Sequence, residues 1–113
     1  MGKLGFFKGM LRANSKRHGD LQGSMLPMKG KAPVSIVDGL PTAWAVGMED
    51  FTFSKENVAS CEKITDDVVV TDIANSGGQP VKVNVYSITM KNGKSGTLRL
   101  ARATEWEILQ HLK

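Results

Sequence analysis

A chain of 113 residues with a net charge of +4, 41% hydrophobic and 23% charged residues, has room for one globular domain. Those proportions exclude general disorder, and no apolar run approaches the roughly 20 residues of a membrane-spanning helix. The lone cysteine, Cys61, excludes an internal disulfide and fits a reducing compartment, so a cytoplasmic location is expected.

The charge is unevenly placed. Residues 1–30 carry Lys3, Lys8, Arg12, Lys16, Arg17 and Lys29 against Asp20 alone, whereas residues 31–113 set nine basic against ten acidic residues. Leu4, Phe7 and Leu11, flanked by Phe6 and Met10, recur at helical spacing with the cations between them. The spacing predicts a basic amphipathic helix or tail, although Gly2, Gly5 and Gly9 weaken a helix by roughly 1 kcal/mol each. The apolar patch Leu4-Gly5-Phe6-Phe7 is too short for a signal-peptide core. Phe6 stands where a myristoylation motif asks for Ser or Thr. Gly19, Gly23, Pro27 and Gly30 then predict a flexible linker. Two units are therefore expected: a basic tail with its linker over 1–30, and one β-rich domain over 31–113.

From residue 31 the pattern becomes that of strands. Pro33–Val37 ends in the turn pair Asp38-Gly39. Trp44–Val46 and Phe51–Phe53 are read as a pair around Glu49-Asp50. Val58–Ile64 and Val68–Ile73 follow, separated by a turn at Thr65-Asp66-Asp67. Asn75 to Pro80 is a loop. Val81, Val83 and Val85 then alternate with polar residues, predicting one buried face. Ile88 and Met90 sit in the opposite phase, which a bulge near Ser87 or cover on both sides would explain. Asn92-Gly93 predicts a type I′ hairpin turn, and Thr97–Ala101 is the returning strand.

The C-terminus predicts a helix. Thr104 and Glu107 have capping-box spacing. Trp106, Leu109 and Leu112, with Ile108, form the apolar stripe. Trp106 is expected to face inward as the anchor, and the barrel reading given below depends on that. The fold class is thus mainly β (α+β): a small antiparallel β-barrel or curved sheet of about 5–7 short strands with a C-terminal helix.

Catalytic machinery is not visible. His18, His111 and Cys61 share no ligand spacing, so neither a metal site nor a cofactor is expected. An enzyme would require Cys61 and His111 to converge with Asp66, Asp67 or Asp72. Ser76-Gly77-Gly78-Gln79 lacks the Gly-Lys-Ser/Thr ending of a phosphate loop and leads into a strand. The Lys91-Asn-Gly-Lys94 tip offers two lysines to an anion, or merely flanks a turn.

The stretch Phe51–Ile64, the hairpin Tyr86–Lys94, the closing helix Thr104–Leu112 and the Val37–Pro41 exit together resemble the bacterial pleckstrin-homology-like domains. The resemblance implies a barrel plugged at its open end by the helix, and a family of binding and scaffolding modules. The strands from Pro33 to Phe53 are short for that barrel, and no basic phosphoinositide pocket lies between the first strands.

The expected function is a non-enzymatic interaction module. Its tail would bring Lys3, Lys8, Arg12, Lys16 and Arg17, with Phe6 and Phe7, to an anionic membrane surface or an acidic partner. Peripheral membrane contact, a protein partner and self-association through edge strands are all open. The alternative is a nucleic-acid-binding accessory protein. The near-neutral body and the lack of interleaved aromatic and basic residues argue against it.

Overall fold

Where apolar and polar residues alternate between turn-forming residues, the chain pairs into antiparallel strands. The computed structural model describes residues 17–72 and 79–113. The described residues form seven strands: β1 (Gly19–Gly23), β2 (Ala32–Val37), β3 (Leu40–Ala43), β4 (Phe51–Thr52), β5 (Val58–Val70), β6 (Val81–Met90) and β7 (Ser95–Ala101). They form one sheet in the order β4-β3-β2-β1-β7-β6-β5. β1–β4 and β5–β7 each form an antiparallel meander, and β1 joins the two halves by pairing with both β2 and β7. The sheet is not closed, since β4 and β5 are its edges. It curves around one cluster that includes Leu21, Val34, Phe53, Ile88, Leu98 and Ile108.

The curved-sheet reading holds, with three corrections to the elements. First, residues 19–23 are not linker. Leu21 is fully buried, and β1 sits in the middle of the sheet. Its glycines belong to close strand approach: Gly23 pairs with Gly96, and a Cβ on Gly96 would lie 2.2 Å from the Gln22 carbonyl oxygen. Met25 and Leu26, also placed in the linker by sequence, are buried in the core.

Second, Trp44–Val46 is not a strand. β3 precedes it, using Asp38-Gly39 as a turn with both residues at positive φ (52° and 82°), so Leu40 returns opposite Val37. That is the type I′ geometry of a two-residue hairpin. At the β6–β7 hairpin only Gly93 has positive φ, and the loop instead closes through Met90 N–H to the Lys94 carbonyl at 2.7 Å.

Third, Thr65-Asp66-Asp67 does not separate two strands. β5 runs through it, and register shifts between Lys63, Thr65 and Val68 absorb the extra residues as bulges. Asp67 takes positive φ (52°), and its N–H donates to Asn84 Oδ1 at 3.0 Å. β6 itself pairs with β7 in unbroken register. Val83 and Asn84, on opposite faces, are both buried, so the first half of the strand is covered on both sides, whereas from Tyr86 to Met90 the buried residues share one face.

The C-terminal helix is a single turn, Trp106–Leu109, continued by hydrogen-bonded turns to Leu112. Glu105, not Thr104, occupies the N-cap, without a side-chain cap. Trp106 is 62% exposed, and Ile108 is the fully buried residue. The inward anchor is therefore Ile108, supported by half-buried Leu109 and Leu112. The barrel reading loses the support it drew from an inward Trp106.

Candidate interaction surfaces

Of the residues expected at an anionic surface, Lys3, Phe6, Phe7, Lys8, Arg12 and Lys16 lie outside the described residues. Arg17 is described, and its placement departs from the expectation. Its guanidinium stacks 5.7 Å from the centroid of the buried Trp44 ring. Backbone bonds from His18 N–H to Val34 O (2.8 Å) and from Ala101 N–H to His18 O (2.7 Å) fasten the next residue between β2 and β7. Such a cation–π contact is worth about 1 kcal/mol. Arg17 is thus drawn into the body, where it is half-buried.

Several of the body's charges are paired. Arg99 grips Asp20 with two nitrogens, Nε to Oδ1 at 2.8 Å, across the β1–β7 register. It also reaches Asp72 at 3.1 Å, and Lys31 bonds the same carboxylate. The hydrogen bonds from Lys31 and then Arg99 hold the Asp72 carboxyl well below the usual range. Lys63 pairs with Asp66 at 3.0 Å and Arg102 with Asp67 at 3.3 Å. Each exposed pair contributes little alone, and the neutrality of the body is a matter of its composition. Residues 17–113 hold eleven basic and eleven acidic residues, so the whole formal surplus resides in Lys3, Lys8, Arg12 and Lys16.

A polar clasp joins the helix to the sheet. Tyr86 Oη donates to Glu105 Oε1 at 2.7 Å, and Asn84 Nδ2 donates to Oε2 at 2.6 Å. Burial, then the Glu105 bond, pushes the Tyr86 phenol above its ordinary value. A carboxylate with both oxygens filled this way orients an element and is not positioned as a free base. Sequence reading passed over Glu105. The signal available was Asn84 and Tyr86, polar groups on a strand face that continues as Ile88 and Met90.

Cys61, His111 and the three aspartates of the enzyme expectation all lie among the described residues. Cys61 is half-buried on β5, as a strand residue, and burial pushes its thiol up to about 11. That opposes nucleophilic use, which needs a depressed pKa or an adjacent base. Asp66, Asp67 and Asp72 are each engaged by cations. His111 lies beyond the helix, where its carbonyl accepts the Lys55 N–H at 2.8 Å. Among the described residues, no group of three His, Cys, Asp or Glu is placed to hold a metal. Cys61 is accordingly expected to react with iodoacetamide more than tenfold slower at pH 8 than glutathione. Its rate should keep rising through about pH 11. A plateau near pH 8.5 would contradict the burial assignment.

The last surface is the β5 edge. Among the described residues it pairs with β6 alone, and Ile64 (60%) and Val69 (58%) stand exposed along it. Three register shifts interrupt it, leaving Ser60–Lys63 and Val68–Val70 as its regular runs. Bulges of this kind blunt an edge against indiscriminate pairing. Comparison with protein-family models, curated proteins and solved structures finds no match.

Proposed function

We propose that the chain is a non-enzymatic interaction module, cytoplasmic, held at an anionic membrane surface by its basic N-terminal segment. The observation carrying this reading is the charge partition. A charge-balanced body adjoins sixteen residues that hold the entire positive surplus and no acid. Near an anionic leaflet, four basic residues contribute about 4 kcal/mol, a reversible and salt-sensitive attachment. Phe6 and Phe7 add apolar contact at the interface. No helix among the described residues is long and apolar enough to cross a membrane, so a peripheral mode is the one argued.

The pleckstrin-homology-like identity belongs to the same proposal. Seven antiparallel strands followed by a C-terminal helix agree with it. The open β4 and β5 edges and the exposed Trp106 do not. The unpaired β5 edge is the surface that favours a protein partner alongside the membrane, because an extended segment can add there as a further strand.

Co-sedimentation with vesicles of neutral and phosphatidylserine lipid tests the attachment. The full chain is expected to pellet at low salt and to be released by about 0.5 M salt, where the Debye length falls below about 5 Å. A full-length variant with Lys3, Lys8, Arg12 and Lys16 all changed to Glu should stay in the supernatant. Equal pelleting of the two chains, or none by the parent, refutes the proposal.

A further inference from the structure

Exposed cations gather at one end of the sheet, and four observations bring them together. The β6–β7 hairpin carries exposed Lys91 and Lys94 at its tip. Lys91 N–H donates to the Asn57 carbonyl at 2.8 Å, which sets the hairpin against the turn that carries Lys55. Lys55 N–H in turn donates to the His111 carbonyl at 2.8 Å, bringing the C-terminal residues and Lys113 to the same end. Val58 pairs with Met90, so both strands begin or end there. Lys31, Lys63, Arg99 and Arg102 are bound to carboxylates elsewhere. Lys55, Lys91, Lys94 and Lys113 take part in no ion pair among the described residues, and Glu56 is the acid of the turn between them. Lys29 and Lys82 also take part in no ion pair among the described residues, so what marks this end is the gathering of four such lysines on adjoining segments.

We infer that this lysine-bearing end, built from the hairpin tip, the Ser54–Asn57 turn and the C-terminal residues, is a second contact with an anionic lipid surface. The inference rests on the membrane reading above and extends it to the folded body. The chemistry of the cations selects the partner. Lysine is a hydrated point charge without the bidentate fork that grips one phosphate or carboxylate in a fixed pose. Lysines spread over several separate segments suit a planar, diffuse array of negative charge rather than one defined group. Hydrogen bonds hold the segments to one another, so the body would meet the lipid plane in a preferred orientation with this end inward.

The test is vesicle partitioning of full-length variants, each first checked for a parent-like thermal melt. Lys91→Glu and Lys82→Glu change net charge equally, but Lys82 lies within β6, away from the hairpin tip. Lys91→Glu is expected to weaken partition at low salt about fivefold or more, and Lys82→Glu less than twofold. The combined Lys55→Glu, Lys91→Glu, Lys94→Glu variant should weaken it about a hundredfold. A variant that melts early is replaced by its Gln counterpart, for which a smaller loss in the same order is expected. Equal effects of Lys91→Glu and Lys82→Glu overturn the inference, because net charge alone would then account for binding. If the triple variant binds like the parent while the four-residue tail variant is released, the tail reading stands and the body contact falls. A parent chain that ignores acidic vesicles removes both.

Discussion

Gly19→Ala is expected to lower the urea unfolding free energy by about 3 kcal/mol at an unchanged m-value, near the upper end of ordinary point mutations. The cause is a close approach between backbones, not a lost contact. Gly19 stands opposite Leu100 in the β1–β7 ladder. A Cβ built on it would lie 1.8 Å from the Arg99 carbonyl oxygen and 2.8 Å from its carbon. Both are main-chain atoms of a central strand, so no rotamer change relieves the clash. β1 would have to move away from β7, loosening Leu21 and the Arg99–Asp20 grip together. Gly39→Ala is the informative control. Gly39 has φ of +82° but nothing within 4 Å of the added carbon, so it carries only the left-handed backbone penalty of about 1 kcal/mol. Should Gly19→Ala prove no more costly than Gly39→Ala, the seat of β1 beside β7 is wrong.

The same glycine shows why part of this fold was hidden in the sequence. The β6–β7 hairpin and β2 were legible because alternation and turn residues are local signals. Gly19 and Gly23 carry the opposite lesson, since a glycine demanded by a neighbouring strand looks, along the chain, like a glycine that ends structure. The turn-forming triplet Thr65-Asp66-Asp67 misled in a related way. Its turn chemistry is real, with Asp67 at positive φ, but Asn84 on the partner strand converts it into a bulge inside β5. Of the candidate surface, the charge partition was legible in full. The Arg99–Asp20 pair was not, because 79 residues separate its members and only the β1–β7 register brings them together.

The helix supplies the second large effect. Ile108→Ala is expected to cost about 3 kcal/mol, within the range for deleting a fully buried aliphatic side chain. Trp106→Ala should stay within about 0.5 kcal/mol of the parent, because its ring is mostly in water. Hydrophobicity alone ranks the two in the reverse order. What turns the helix is Glu105. Its carboxylate is held inward by Tyr86 and Asn84, and each residue advances about 100° around a helix. With Glu105 facing the sheet, Ile108 and Leu112 follow on that face, while Trp106, one step on, swings toward solvent. Leu109 and Leu112 of the expected stripe do pack on the core and only Trp106 falls off the inward face, because the residue fixing the phase is polar. Urea titrations of both variants, followed by far-ultraviolet circular dichroism, decide the matter. A Trp106→Ala chain less stable than Ile108→Ala would put the indole in the core and reverse the orientation assigned to the helix.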